Sequence, residues 1–180
     1  MDIALTSLIN SFAGSNAALD SFMIDVTKFG VPLLVLLVVT QWWFGQPKQI
    51  ARHACVSAAA SLALGLGLAQ ILLLFIHRER PYDAGVSHLI IDKTADWSFP
   101  SDHAIASTAI VFAWMMNGMR RWLWVFACFT ALICFSRVYV GMHYVSDIIG
   151  GMAVALFATW VVNVVYKPDT KLDKWLTSIF

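Results

Sequence analysis

Long apolar runs separated by short polar stretches organise this chain. A helix that crosses a hydrocarbon core of about 30 Å needs about 20 mainly apolar residues. Five runs have or approach this length, and they cover residues 22–44, 50–76, 101–116, 122–138 and 145–166. The pattern therefore predicts an all-α protein, a polytopic membrane helical bundle with about five transmembrane helices.

The polar stretches predict how these helices are connected. Residues 1–20 mix polar and apolar side chains, which is typical of an interfacial helix followed by a turn. Residues 77–100 form a long polar connection, and the third run after it is short, which suggests a wide polar mouth. Lys167-Pro168 ends the last run, and an amphipathic tail follows. We treat residues 1–180 as one integral-membrane domain.

Composition supports a membrane location. Hydrophobic residues make up 59% of the chain and charged residues 13%, whereas a soluble domain carries about 25% charged residues. The net charge of +1, without a basic stripe, predicts no nucleic-acid partner. Cys55, Cys128 and Cys134 all lie in apolar runs, where cysteine behaves as a small core residue.

The basic residues predict an orientation. Alternating spans bring the turns at 44–52 and 117–121 to the same side as the C-terminal tail. This side holds seven of the twelve basic residues, namely Lys48, Arg52, Arg120, Arg121, Lys167, Lys171 and Lys174. The positive-inside rule makes that side cytoplasmic and places the N-terminus outside.

Three polar islands border the apolar runs on the opposite side, at Arg80-Pro81, 100–103 and 136–147. In the third island, His143 and Asp147 are four residues apart, so on a helix they share one face and can form a hydrogen bond. The carboxylate would fix the imidazole tautomer and leave the other ring nitrogen free to attack. The alternative is a membrane-edge loop whose polar residues face water.

Together the three islands resemble the signature of the type 2 phosphatidic acid phosphatase superfamily, which reads Lys-x6-Arg-Pro, Pro-Ser-Gly-His and Ser-Arg-x5-His-x3-Asp. The positions that match are Arg80, Pro81, Pro100, Ser101, His103, Ser136, Arg137, His143 and Asp147. Leu73 stands where the lysine is expected, and Asp102 replaces the usual glycine. Asp102 and the Arg78-x-Arg80-Pro81 form are similar to the undecaprenyl-diphosphate phosphatase branch. The resemblance covers residues 73–147.

The resemblance implies a role for each matched residue. His143 is the nucleophile that forms a phosphohistidine, Asp147 holds its ring, and His103 protonates the leaving oxygen and then activates water. Six residues are candidates for phosphate binding, namely Arg80, Arg137, Ser101, Ser136, Arg78 and Asp102. Three of them have alternatives. Arg78 is either a membrane-edge arginine or a substitute for the missing lysine, and Asp102 either starts a helix or shapes a diphosphate pocket. Ser136 either tunes local hydrogen bonding or contacts the phosphate.

Charges at membrane depth are costly and mark a functional site by default. Two helix N-termini beside Arg80 and Arg137 would cradle a phosphate without a metal, because free N–H groups and the guanidinium forks suit anions. The sequence has no HExxH motif, no EF-hand loop and no Cys/His cluster, so we predict neither metal nor cofactor.

The resemblance implies a phosphatase of the bacterial plasma membrane that converts undecaprenyl diphosphate into undecaprenyl phosphate and inorganic phosphate on the extracytoplasmic face. Such an enzyme recycles the lipid carrier of cell-wall biosynthesis and is linked to bacitracin resistance. Alternatives within the superfamily are phosphatases of phosphatidylglycerol phosphate, phosphatidate or lipid A, and lipid phosphotransferases. A small transporter or flippase is the non-enzyme alternative, but it would carry broken helices or charges near mid-membrane, whereas here the charges lie at span ends.

Overall fold

The computed structural model describes residues 1–179, which form seven α-helices and no strand. The helices are Asp2–Asn10 (α1), Ala17–Phe44 (α2), Lys48–Leu73 (α3), Asp102–Met116 (α4), Arg120–Tyr139 (α5), Val145–Val165 (α6) and Lys171–Thr177 (α7). The predicted all-α class is confirmed, and the bounds of the five predicted spans agree with α2 to α6 within a few residues.

Local sequence explains several helix ends. The Asn16 side chain accepts hydrogen bonds from the backbone N–H groups of Ala18 and Leu19, which caps α2. Gly118 connects α4 to α5 with a φ of +70°, a conformation that glycine adopts without steric cost. Helix α6 ends at Val165, three residues before Pro168.

Within residues 1–179, four helices are long and apolar enough to cross a membrane, namely α2, α3, α5 and α6. Helix α4 has 15 residues, which at 1.5 Å per residue is about 22 Å and shorter than the hydrocarbon core. It packs against α3, α5 and α6, and Ile105, Ala109 and Trp114 are fully buried along it. The short third span is therefore an interior helix, and the polar connection before it lies over the end of the bundle.

The two ends of the bundle differ in what covers them. At one end, α7 packs on the start of α3, where Gln49 and Arg52 donate hydrogen bonds of 2.7 Å to Thr177. At the other end, α1 and the connection between α3 and α4 cover the N-terminal ends of α4 and α6. These contacts bring the C-terminal tail to the same end of the bundle as the 44–52 turn, as alternating spans predict.

Helix α1 is the segment expected to be an interfacial helix followed by a turn. The Asn10 side chain donates to the carbonyls of His88 at 2.9 Å and Tyr139 at 2.8 Å, and it accepts from the His88 N–H at 2.6 Å. The Ser7 hydroxyl donates to the Val86 carbonyl at 2.8 Å. Helix α1 is thus held, through α5 and the polar connection, against the end of the bundle that carries the three polar islands (the site end).

Small residues let the helices approach closely at defined points. A Cβ at Gly65 in α3 would lie 2.7 Å from Cγ2 of Ile105 in α4, and a Cβ at Gly151 in α6 would lie 2.7 Å from the Ser101 carbonyl. A Cβ at Gly67 would meet nothing within 4 Å. Of the two glycines in the Gly65-Leu66-Gly67 run, only Gly65 serves helix packing.

We expect Gly65→Val to destabilise the protein by about 1–3 kcal/mol, because the added carbons overpack the contact with Ile105. Gly67→Val is the matched control, since its side chain points away from the bundle and should leave the unfolding temperature within a few degrees of that of the parent. Thermal unfolding in detergent measures both. Equal effects of the two substitutions would contradict this packing.

Candidate active site

His143 lies in the short connection between α5 and α6, and it is 3% exposed. Its Nδ1 is 2.8 Å from the Ser98 carbonyl oxygen and 3.5 Å from Oδ2 of Asp147. Because a carbonyl can only accept, Nδ1 carries the proton and Nε2 keeps its lone pair. That Nε2 lies 3.4 Å from Nη1 of Arg80. The imidazole is therefore oriented with an unprotonated nitrogen facing a guanidinium group.

Gly141 shapes the connection that carries His143. It has a φ of +83°, and a Cβ there would lie 2.5 Å from the His88 carbonyl oxygen. Only glycine combines this left-handed conformation with so close an approach of two backbones. The helix α5 therefore ends with a sharp turn that directs His143 toward the polar connection.

Asp147 lies in the first turn of α6 and is fully buried. Its Oδ2 accepts from the Ser98 hydroxyl and from the Tyr144 N–H at 2.9 Å. Its Oδ1 accepts from Nη1 of Arg78 at 2.6 Å. The expected His143–Asp147 pair is present, but the imidazole has a shorter contact with Ser98 than with the carboxylate.

Ser98 is a site residue that the sequence did not reveal. It lies in the polar connection, outside the family signature, and is completely buried although residues 92–97 before it are exposed. Its carbonyl receives the His143 proton and its hydroxyl binds Asp147. A serine in a polar loop is too common to single out, so only the three-dimensional contacts identify it.

Arg80 is held rigidly by its surroundings and is 5% exposed. Its Nη1 donates to the Met142 carbonyl, its Nε to the Asp96 carbonyl and its Nη2 to the Asp96 carboxylate, each at 3.0 Å. Burial would raise the pKa of Asp96, but a hydrogen bond from Thr94 and the charge of Arg80 together hold that pKa below its usual value. Asp96 therefore stays ionised and keeps the guanidinium beside His143.

The start of α4 and the last turn of α5 complete the site. Ser101 is the N-cap residue of α4, His103 is half-buried in its first turn, and Arg137 near the end of α5 is 7% exposed. The positive charges of Arg137 and Arg80 both act on His103. Within residues 1–179, the buried Ser101 Oγ and Arg137 Nε have no hydrogen-bond partner. These two buried donors suit the oxygen atoms of an anion.

The remaining predicted site residues are placed differently. Ser136 is fully buried, donates to the Ile133 carbonyl at 2.7 Å and accepts from the Thr27 hydroxyl at 2.8 Å, so it joins α5 to α2. Asp102 is exposed at the start of α4. The guanidinium of Arg78 lies between two carboxylates, 2.6 Å from Asp147 and 2.7 Å from Asp2.

The electrostatics of the site favour a neutral His143. Burial, together with the positive charges of Arg137 and Arg80, lowers the pKa of His143 to about 4, although the hydrogen bond with Asp147 acts in the opposite direction. The imidazole is consequently neutral near pH 7, which is the form with a lone pair to donate.

This arrangement of two histidines and two arginines carries the three signature motifs. The model of the PAP2 superfamily matches residues 54–171, which include all three motifs. The chain belongs to the PAP2 superfamily. It is 31% identical over 156 residues to the undecaprenyl-diphosphatase BcrC of Bacillus subtilis (strain 168), an alignment that covers 87% of this chain and 79% of that relative.

Two solved PAP2-type structures share the fold. Aquifex aeolicus LpxE superposes with a TM-score of 0.71 over 92% of this chain and 95% of its own, at 19% identity. The transmembrane PAP2-type phosphatidylglycerolphosphate phosphatase from Bacillus subtilis gives a TM-score of 0.66 over 94% and 86%, also at 19% identity. Together with the apolar helices, the family match makes this protein a multi-pass membrane lipid phosphatase of the PAP2 type.

We expect His143 to remain neutral from pH 8 to pH 5, because its pKa of about 4 lies below this range. Nitrogen NMR of histidine-labelled protein in detergent measures the titration, with free histidine as the reference. Arg80→Ala removes a charge that disfavours the imidazolium, so its titration midpoint should move to higher pH. A parent midpoint near 6.5 would contradict the burial argument.

Proposed function

We propose that this protein hydrolyses undecaprenyl diphosphate to undecaprenyl phosphate and inorganic phosphate through a phosphohistidine at His143. The observation that carries the proposal is the neutral, buried imidazole, whose Nε2 lies 3.4 Å from the Arg80 guanidinium. The unpartnered donors of Ser101 and Arg137 add to it. A terminal phosphate bound among these groups would present its phosphorus to Nε2.

In the first step, Nε2 of His143 attacks the terminal phosphorus, the bond to the bridging oxygen breaks, and undecaprenyl phosphate leaves. Arg80, Arg137 and Ser101 neutralise the three equatorial oxygens. The ring becomes a cation that still carries its Nδ1 proton, and the Ser98 carbonyl and Asp147 stabilise it. A phosphate ester is already a good leaving group, so acid catalysis contributes little here.

In the second step, water attacks the phosphohistidine. His103 accepts a proton from the water, the oxygen bonds to phosphorus, and the N–P bond breaks to release phosphate and the neutral His143. The position of His103 at the start of α4, where the charges of Arg80 and Arg137 act on it, supports this role. We also propose that the exposed Asp102 beside it shapes the diphosphate pocket, because it replaces the family's glycine.

The proposed substrate and membrane face rest on two independent arguments. The 31% identical relative is named as an undecaprenyl-diphosphatase, which supports a polyprenyl diphosphate. The basic turns and tail lie at the end of the bundle opposite the site, so the positive-inside rule supports a site on the extracytoplasmic face of a bacterial plasma membrane. A lipid diphosphate in the outer leaflet could then present its headgroup to this end.

We expect purified protein in detergent to release phosphate from undecaprenyl diphosphate faster than from phosphatidylglycerol phosphate, phosphatidate or lipid A, with a chelator present throughout. His143→Ala should reduce this rate by about a thousandfold or more, because the residue forms the covalent intermediate. His88→Ala is the control, since only the backbone of His88 is seen to form hydrogen bonds. Phosphate release that persists in His143→Ala would overturn the mechanism, and a preference for a different lipid would reassign the substrate.

The role of His103 predicts a distinct kinetic change. With a diphosphate labelled at its terminal phosphate, His103→Ala should form the phosphoenzyme at close to the parent rate but hydrolyse it about a hundredfold more slowly. Rapid-quench measurement of bound label would therefore show accumulation of the intermediate. Slower formation with unchanged breakdown would instead assign His103 to the leaving group.

A further inference from the structure

The N-terminal helix brings a carboxylate to the back of the site. Oδ1 of Asp2 accepts from the Ser146 N–H at 2.9 Å, and its Oδ2 accepts from the Ser146 hydroxyl. The same Oδ2 lies 2.7 Å from Nη2 of Arg78. Burial would raise the pKa of Asp2, but the hydrogen bonds from Ser146 and Arg78 hold that pKa below its usual value. The first turn of α1 is thereby fixed to the first turn of α6.

Arg78 connects this carboxylate to the one beside His143. Its Nη2 binds Asp2 while its Nη1 donates to Oδ1 of Asp147 and to the Ser146 hydroxyl, both at 2.6 Å. The guanidinium carbon lies 3.9 Å from the centre of the Tyr144 ring. The described contacts of this guanidinium are all with protein groups, and the Arg78 side chain is 30% exposed.

A buried carboxylate needs this kind of support. Asp147 is fully buried, and an ionised group in that environment is stable only with charged and hydrogen-bonding partners. Arginine has a long side chain with several accessible rotamers, so one ion pair does not fix its position. Asp2 is a second partner, and its carboxylate is held by the backbone N–H of Ser146 in α6. It therefore restricts the Arg78 guanidinium to one orientation.

We propose that Asp2 and Arg78 are positioning residues, which hold the Asp147 carboxylate in place and thereby orient His143. The inference rests on the proposed function, since it assumes that His143 is the nucleophile. It gives α1 a role in positioning the nucleophile. The carboxylate of Asp2 in α1 binds Arg78, which in turn binds Asp147 beside His143.

The two roles open to Arg78 predict different kinetics. An arginine that binds the substrate phosphate lowers KM, and its loss raises KM. A positioning arginine leaves the binding of the phosphate to Arg80 and Arg137, so its loss lowers kcat and leaves KM nearly unchanged. The same distinction applies to Asp2, whose negative charge would repel a phosphate.

A double-mutant cycle tests the proposal. We expect Asp2→Asn to lower kcat about tenfold and Arg78→Ala about a hundredfold, as for lost hydrogen bonds to charged groups, with KM within about twofold of the parent. The double variant should match Arg78→Ala, because Asp2 acts only through that arginine. Asp2→Glu, which keeps the charge, should recover most of the loss seen in Asp2→Asn.

Ser7→Ala is the matched control for the docking of α1, because it removes the hydrogen bond to the Val86 carbonyl without touching the ion pairs. It should keep the parent kcat. Steady-state rates are normalised to the amount of folded protein in each sample, so that a partly unfolded sample does not imitate a slow one.

Three results would overturn the proposal: a parent-like kcat in Asp2→Asn, additive losses in the double variant, or an equal loss in Ser7→Ala. A raised KM with an unchanged kcat in Arg78→Ala would also overturn it and restore the phosphate contact. His143→Ala, assayed alongside, distinguishes a failure of the proposed function from a failure of the positioning role. Activity in that variant would refute the proposed function, whereas its inactivity together with a parent-like Asp2→Asn would refute only the positioning role.

Discussion

The buried carboxylate of Asp147 is the constraint on which the site end of the bundle depends. A charge removed from water must be compensated where it lies, and Asp147 obtains its partners from separate parts of the chain. Ser98 comes from the connection between α3 and α4, Arg78 from just after α3, and the Tyr144 N–H from the start of α6 itself. These contacts order a long polar segment that has no helix or strand of its own, and the same segment carries Arg80. Burying one carboxylate therefore positions both His143 and the Arg80 guanidinium beside it.

The buried arginines of the site carry positive charges that also need compensation. Arg80 and Arg137 are both buried, and their charges act on each other. Asp96 compensates one of them through its carboxylate and its carbonyl. Arg137 keeps a buried Nε without a partner among the described residues, and Ser101 nearby keeps a hydroxyl in the same condition. An anion between these groups would satisfy the donors and relieve the repulsion, which is why this end of the protein suits a phosphate.

Sequence reasoning was strongest where a pattern repeats or a motif is dense. The helix bounds followed from apolar runs, and the convergence of His103, Arg137 and His143 followed from the signature. Sequence reasoning was weakest where the role of a residue depends on the residue that it contacts in the folded protein. Ser136 lies within a matched motif but its hydroxyl is used between helices, as its bonds to Ile133 and Thr27 demonstrate. Arg78 is a basic residue beside a phosphate motif, yet a carboxylate at the far end of the sequence holds it. Neither the Asp2 contact nor the burial of Ser98 has a local sequence signal, because both arise from chain segments that meet only in the folded bundle.

A second histidine–aspartate pair, at the opposite end of the bundle, indicates what the catalytic pair requires. Nδ1 of His53 lies 2.7 Å from Oδ1 of Asp173, and its ring stacks on Tyr166 with centroids 4.5 Å apart. Asp173 also accepts from the Tyr166 hydroxyl at 2.6 Å and the Asp169 N–H at 2.8 Å. The adjacent Arg52 donates to the carbonyls of Trp42 and Thr177. Here the same two residue types join α7 to α3, with an aromatic ring covering the imidazole. At the site end, the Arg80 guanidinium faces the free nitrogen of His143 instead. The histidine–aspartate pair orients a ring in both places, and the ring of His143 differs in having a guanidinium beside its free nitrogen, as the proposed phosphoryl transfer requires.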